Sequence, residues 1–254
     1  MTRQSSKGPC TFCHRELSKA SMTRHLESCE QRTATQDERE SRQQAKKTKA
    51  FHLIVGGYRL PMYWMHLEVS VVTTLAILDR FLRDTWLECC GHLSVFRIGG
   101  FNYYVDTEMD AYYWDIRRKN MQVKLEEVLS PGQTCSYEYD FGSTTELLMK
   151  VISEQEVDVK GRTIQILARN SPPIIPCDMC GKPATSMCTQ CIYEDKGCLC
   201  DACAKSRECG EEMLLPLVNS PRTGVCGYTG PVIRIPQGRK KGPSPQRPAA
   251  GSQA

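Results

Sequence analysis

The sequence predicts an α+β fold with a mostly antiparallel sheet and one main helix, flanked by two small cysteine-rich modules. Residues 51–170 alternate strand-like patterns with a single long helical period, in the order β-β-α-β-β-(α)-β-β-β. The chain has fifteen cysteines in 254 residues, and most of them lie outside this segment. We expect a cysteine-rich head (8–30), a polar linker or solvated helix (31–50), the α+β domain (51–170), a second cysteine-rich module (177–230) and a disordered basic tail (234–254).

Hydrophobic periodicity and turn residues predict each element of the α+β domain. The stretches "FHLIVGGY" and "MYWMHLEVSV" predict strands, and "TTLAILDRFLRDTWLECC" carries leucines at helical spacing after a threonine cap. Next come the predicted strands "HLSVFRIGG" and "FNYYV", then a short helix or turn in "VKLEEVL". The strands "TCSYEYDFG", "TELLMKVISEQEV" and "RTIQILAR" complete the domain. Within it, Cys89, Cys90 and Cys135 are interpreted as small buried hydrophobic residues.

Three stretches of this domain carry a family resemblance. "YRLPMYWMHLEV", "TLAILDRFLRDTWLECCGHLSVFRIGG" and "VKLEEVLSPGQTCSYEYDFGSTTELLMKV" resemble the plasmid pRiA4b ORF-3-like family. The resemblance implies an α+β fold and an association with plasmids and mobile elements, in some members as resolvase-like proteins, without a catalytic mechanism. Many members follow "DFG" with acidic, Trp and His residues, whereas this chain has Ser143, Thr144 and Thr145. A site built from those residues would be lost or changed here.

The head contains the spacing Cys10-x2-Cys13-x11-His25-x3-Cys29. A Cys-x2-Cys turn and a His/Cys pair on one helix face supply the four ligands that tetrahedral zinc requires. The pattern resembles the CCHC variant of the ββα zinc finger. A segment this short cannot form a sufficient core, so zinc would supply most of its folding free energy, on the order of 10 kcal/mol.

Basic residues around the head helix raise the question of a nucleic-acid partner. Arg15, Lys19 and Arg24 are the candidates for nucleic-acid contact. Sequence-specific reading of DNA usually uses more than one finger, and the sequence contains a single finger pattern. Contact with a protein, or a purely scaffolding role, are therefore the alternatives.

The second cysteine-rich module contains three Cys-x2-Cys pairs. One zinc ion uses two pairs, so the third pair requires a second ion. The layout resembles cross-braced binuclear modules such as MYND fingers and B-boxes. That resemblance implies one ion held by the first and third pairs, and a second ion held by the middle pair and a later cysteine. The first set is Cys177, Cys180, Cys200 and Cys203, and the second begins with Cys188, Cys191 and Cys209.

The fourth ligand of that second ion is open. Arg207 stands where such modules usually carry a histidine, and a guanidinium cannot ligate zinc. Cys198 and Cys226 are the two candidates, with a damaged site as the alternative. Cys198 could equally be an apolar filler. We expect two or three structural zinc ions in total.

Composition favours a cytoplasmic protein. The N-terminus lacks the apolar core of a signal peptide, and no run approaches the ~18 apolar residues of a membrane span. In a reducing compartment, clustered cysteines bind metal more often than they form disulfides. The five basic residues from Arg234 onward exceed the whole net charge of +4, so the rest of the chain is nearly neutral.

These features favour a non-enzymatic, zinc-binding adaptor or regulatory protein that contacts nucleic acid, protein or both. The basic tail would add attraction to phosphates. The sequence shows no Gly-rich phosphate loop and no His/Asp set beside a cysteine nucleophile, so it indicates no small-molecule substrate. One alternative is a resolvase- or nuclease-like enzyme of DNA transactions using Asp106, Glu108 and Asp110. The other is a thiol-based redox or metal sensor.

Overall fold

The computed structural model describes residues 6–41, 47–105, 116–158, 163–194 and 196–231. At its centre is an eight-stranded sheet. Its strands are β3 (Lys47–Gly57), β4 (Leu60–Ser70), β5 (Ser94–Ile98), β6 (Phe101–Tyr104), β7 (Arg118–Asn120), β8 (Thr134–Tyr139), β9 (Thr145–Asp158) and β10 (Ile164–Arg169). Their order across the sheet is β10-β4-β3-β9-β8-β5-β6-β7.

This sheet is mixed, so the prediction of a mostly antiparallel sheet is only partly right. Six of the seven strand pairings are antiparallel, whereas β6 and β7 pair in parallel, with Asn102 opposite Arg118. A parallel pair needs a connection of a dozen or so residues to return the chain to the same end of the sheet. The long segment between Tyr104 and Arg118 allows that return. The strand β7 is short and reads "RKN", so it carries no hydrophobic signal.

The main helix, α3 (Leu75–Leu82), packs on the central sheet. Thr74 caps it, because its side-chain oxygen accepts a hydrogen bond from the amide of Ile77. Leu75, Leu78 and Leu82 lie fully buried in the main core, as the helical spacing predicts. The α-helix continues as a wider π-helical segment, Arg83–Leu87. Cys89 and Cys90 follow directly after this segment.

The N-terminal residues form a small unit that covers the β10 edge of the sheet. It consists of β1 (Lys7–Pro9), β2 (Glu16–Ser18) and α1 (Lys19–Glu27). The Thr11 amide donates to Leu167 O at 2.9 Å, and the Ser171 amide donates to Lys7 O at 2.8 Å. An otherwise open strand edge is thereby paired, which removes a site for aggregation.

Apolar packing joins the same unit to the sheet. Met22 and Leu26 on α1 share one buried cluster with Trp64 of β4 and Leu167 of β10. The range predicted as a polar linker or solvated helix contains a helix, α2 (Glu30–Ser41), and the start of β3. Arg32 of that helix pairs with Glu68 of β4 at 2.8 Å.

The C-terminal module consists of β11 (Ser186–Cys188), β12 (Cys198–Leu199), α4 (Asp201–Lys205) and β13 (Leu214–Pro216). Its three strands form a separate sheet of order β12-β11-β13. The chain then returns to the central domain, where Ser220 Oγ donates to Trp86 O at 2.5 Å. No helix in the described ranges is long and apolar enough to cross a membrane.

Candidate metal centres

The head brings its four predicted ligands together. The Sγ atoms of Cys10, Cys13 and Cys29 and a ring nitrogen of His25 all lie within 4.8 Å of one another. Cys13 Sγ is 3.2 Å from His25 Nε2, and Cys10 Sγ is 4.0 Å from Cys29 Sγ. A tetrahedral ion with metal–sulfur bonds of about 2.3 Å separates two sulfurs by about 3.8 Å, whereas a disulfide separates them by about 2.0 Å. The spacing fits a shared ion.

Local structure explains this convergence. The chain turns back between β1 and β2, where the Cys10 amide donates to Arg15 O and the His14 amide donates to Cys10 O. Burial raises the pKa of Cys10. Cys13 is less buried, and the Arg15 backbone and neighbouring thiols outweigh burial and lower its pKa.

The three basic candidates of the head are not equivalent in the fold. Arg15 and Arg24 are exposed beside a shallow cleft that also includes His25 and Ser28. Lys19 instead points towards β3, so a Cβ added at Gly56 would lie 2.9 Å from its Nζ. Burial lowers the pKa of Lys19. Arg15 and Arg24 therefore remain available to a partner, whereas Lys19 lies against the sheet.

The first C-terminal set also converges. Cys177, Cys180, Cys200 and Cys203 have their sulfurs within 4.8 Å of one another, and Cys180 Sγ is 3.6 Å from Cys200 Sγ. Burial raises the pKa of Cys177, but the amides of Cys200, Met179 and Cys180 outweigh it and lower that pKa to about 6. A thiolate present at neutral pH favours metal binding, because only the deprotonated form ligates.

The second C-terminal set contains three ligands among the described residues. Cys188, Cys191 and Cys209 converge within 4.8 Å, with Cys191 Sγ 3.4 Å from Cys209 Sγ. The Arg207 guanidinium contacts Cys191 Sγ and donates to Lys196 O at 2.6 Å. A cation thus lies beside these cysteines, at the position where the resemblance to MYND fingers and B-boxes implies a histidine.

The structure corrects the two candidates for the missing ligand. Cys198 lies in none of the sets formed by the described residues, and burial, with Asp178 and Cys177 nearby, raises its pKa. Cys226 is not part of the three-cysteine set, because the turn that carries it contacts Cys90 and His92 of the central domain. It joins Cys89, Cys90 and His92 in a fourth set whose ligand atoms also lie within 4.8 Å.

The interpretation of the mid-domain cysteines therefore needs revision. Cys135 is buried in the core, as expected, whereas Cys89 is half-buried and Cys90 is exposed. The sequence signal, Cys-Cys-x-His directly after the helix, is visible in hindsight. Its partner lies 136 residues away from Cys90, a separation that local spacing cannot detect.

Beside this fourth set, Asp140 of "DFG" adopts a left-handed conformation, with φ 66°. Its Oδ1 accepts hydrogen bonds from the amides of Gly142 and Ser143, so "DFG" forms a turn between β8 and β9 that the Asp140 side chain stabilises. Its Oδ2 pairs with the fully buried Arg222 at 2.7 Å. Burial raises the pKa of Asp140, but Arg222 and the two amides outweigh it and hold the pKa below its usual value. The role of this carboxylate is thus to anchor the C-terminal segment.

Two groups of residues that the sequence analysis names lie outside the described ranges. The acidic group Asp106, Glu108 and Asp110 lies in 106–115, and the basic tail lies in 232–254.

The fold and these sets define an α+β protein with a mixed central sheet and several Cys/His clusters that could hold metal ions. The profile of the plasmid pRiA4b ORF-3-like protein family matches residues 58–196, more than half of the chain, and the chain belongs to this family. The match extends past the stretches that carried the resemblance and includes the first two Cys-x2-Cys pairs of the C-terminal module.

Other comparisons add little. No curated protein matches the chain significantly. Among solved structures, the chain is similar to a protein of unknown function, MM3350 from Methanosarcina mazei Go1, at 15% identity and a TM-score of 0.39. That similarity covers 48% of this chain and 67% of the other.

Proposed function

We propose that this chain is a non-enzymatic adaptor or regulatory protein whose two flanking modules are held together by structural zinc. The observation that carries the proposal is the convergence of two complete four-ligand sets, with three cysteines and a histidine in the head and four cysteines in the C-terminal module. Thiolate and imidazole ligands in this number favour zinc over harder cations. Four protein ligands leave no position for a reactive water, so these two ions would be structural.

The surroundings of both sets support a stabilising role. Each set lies in a small apolar cluster. The head cluster combines Cys10 and Cys29 with Met22 and Leu26 and with three residues of the central sheet, Trp64, Leu167 and Ala168. The buried residues of the C-terminal cluster are four cysteines and Leu199. Such clusters are too small to hold a fold by hydrophobic burial alone. The three-cysteine set is the weaker candidate for an ion, since the Arg207 guanidinium contacts Cys191. The proposal therefore includes two or three ions from these modules.

We propose that the exposed side of α1, together with Arg15, is the surface that contacts a partner. With Met22 and Leu26 packed against the sheet, the exposed side of α1 presents Arg24, with Arg15 nearby. This surface offers positive charge to phosphates or to an acidic protein surface, and binding of a DNA or RNA oligonucleotide tests the first of these two partners. Nucleic-acid affinity that falls steeply between about 50 and 200 mM salt, and less steeply in Arg15→Ala/Arg24→Ala, supports nucleic acid. Affinity that does not change with salt would exclude that partner class.

The metal proposal is tested by zinc content and its consequence for folding. The full chain, purified under reducing conditions, should carry zinc rather than iron or copper in elemental analysis. Cys13→Ser and Cys180→Ser should each lose one ion, whereas Cys198→Ser should lose none. Chelation should unfold the head and the C-terminal module, seen as rapid amide exchange at Thr11 and Thr185, which donate to Leu167 O and Leu199 O. A metal-free chain with both amides protected would contradict the proposal.

A further inference from the structure

We propose that Cys89, Cys90, His92 and Cys226 form an additional zinc site that fastens the C-terminal segment to the central domain. The four ligand atoms lie within 4.8 Å of one another. Cys90 Sγ is 3.6 Å from Cys89 Sγ and 3.8 Å from Cys226 Sγ. These separations match the roughly 3.8 Å expected for two sulfurs on one tetrahedral ion, and they resemble those in the two complete sets.

The histidine completes the ligand set. His92 Nε2 lies 2.9 Å from Cys90 Sγ and 3.3 Å from Cys226 Sγ, close to two of the sulfurs that would share the ion. Asp140 Oδ2 is also near, 3.5 Å from the same nitrogen, but it already accepts a hydrogen bond from Arg222 at 2.7 Å. The set therefore consists of three cysteines and one histidine, the same ligand chemistry as the head.

Both loops that carry these ligands are formed without help from the cysteines. On one side, Glu88 Oε1 accepts a hydrogen bond from the Gly91 amide at 2.6 Å and from Tyr139 OH at 3.1 Å. Glu88 Oε2 is in turn held by Arg83 at 2.7 Å. On the other side, the buried Arg222 anchors the segment just before Cys226. The site is thus positioned in advance, which lowers the entropic cost of metal binding.

The backbone conformation of Cys226 also indicates a functional role for this residue. Its φ is 51°, a left-handed conformation that is unfavourable for a residue with a Cβ, and it lies between Gly224 and Gly227, which also have positive φ. This turn aims the Cys226 sulfur at Cys90 and His92. A strained conformation at a ligand-bearing position is an observation from which a functional role can be inferred.

The electrostatic surroundings suit an anionic metal centre. Three thiolates and one divalent zinc ion leave a net negative charge. The Arg222 guanidinium lies 3.4 Å from Cys89 Sγ and provides a compensating positive charge. The Cys90 and Cys226 side chains are exposed, unlike most ligands of the other sets. We therefore expect this ion to exchange faster than the ions of the two complete sets.

The test is a metal count on the full chain by native mass spectrometry, after reduction and reconstitution with zinc. The wild type should bind one ion more than Cys90→Ser/Cys226→Ser, and one more than His92→Gln as a second, independent variant. Cys198→Ser, a cysteine outside the sets in the described ranges, is the matched control and should keep the wild-type count. Equal counts in the wild type and both site variants would overturn the inference.

A kinetic measurement separates this site from the others. A chromogenic chelator should remove one equivalent of zinc from the wild type in a fast phase that is missing from Cys90→Ser/Cys226→Ser. A fast phase of equal amplitude in both proteins would contradict the assignment. The inference fails separately from the proposed function. A wild type without zinc overturns the proposed function, whereas zinc that is unaffected by the site variants overturns only the additional site.

Discussion

Replacing Arg222 with methionine should be among the most destabilising single substitutions in this protein. The Arg222 side chain is 0% exposed and its partner Asp140 is 7% exposed, at a distance of 2.7 Å. The guanidinium also donates to Ser143 O and to Thr145 Oγ1. Removing one member of a buried pair leaves the other charge uncompensated, which typically costs about 3–5 kcal/mol. We expect Arg222→Met to lower the free energy of unfolding by that amount.

The chain provides a matched control at Arg97, which pairs with Glu138 at the same 2.7 Å distance but is 47% exposed. Arg97→Met should cost less than about 1 kcal/mol, because solvent screens exposed pairs. The assay is urea denaturation of the zinc-saturated chain, followed by tryptophan fluorescence. In a double-mutant cycle with Asp140→Asn, the coupling energy should be about 0.5–3 kcal/mol. Equal losses of unfolding free energy in Arg222→Met and Arg97→Met would show that burial does not strengthen the Arg222–Asp140 pair.

Three further predictions concern other parts of the fold. Burial lowers the pKa of His52 to about 4 and of His66 to about 3, and the two rings touch at 2.9 Å. Since the unfolded chain protonates both near pH 6.5, stability should be full above that pH and fall towards pH 4 by up to about 1.4 kcal/mol per pH unit for each ring. His52→Gln should reduce this slope by about half in urea titrations from pH 7 to 5, and an unchanged slope would contradict the prediction. In Gly8→Ala, the new Cβ would overlap Arg169 O, so amide exchange at Thr11 should accelerate at least about tenfold. Gly142→Ala, whose Cβ would meet only Asp140 Oδ1 at 3.5 Å, is the control and should leave Thr11 protected. Thr74→Ala removes the cap of α3 and should cost about 1 kcal/mol in the same urea assay, and a change within error would argue against the cap.

The parts of the fold that local patterns encode could be predicted from the sequence. The leucine spacing in α3 and the alternation in β4 each specify a face that is buried in the structure, with Leu75, Leu78 and Leu82 on α3 and Tyr63, Met65, Leu67 and Val69 on β4. The opposite face of β4 is also buried, since Trp64 packs with α1, and the alternation does not predict this. The Cys-x2-Cys spacing likewise identifies ligand pairs, because two residues close one turn around an ion. The head set and the four-cysteine set are brought together as the spacing suggested.

Features that depend on distant residues could not be predicted. The polar strand β7 carries no burial signal, so its parallel pairing with β6 comes from the sheet and not from its own sequence. The sequence groups Cys226 with the cysteines near it, yet Arg222 and Asp140 fix its turn against the central domain. The sequence predicts Lys19 as a surface cation, but packing of α1 turns its side chain towards β3. In each case a tertiary contact decides the position.

Counting zinc on the intact chain by native mass spectrometry under reducing conditions decides whether zinc holds the flanking modules. We expect a zinc-loaded wild type from which Cys13→Ser and Cys180→Ser each remove one ion, and from which Cys198→Ser removes none. A folded chain that carries no zinc, or that keeps the same count in all three variants, would contradict this expectation.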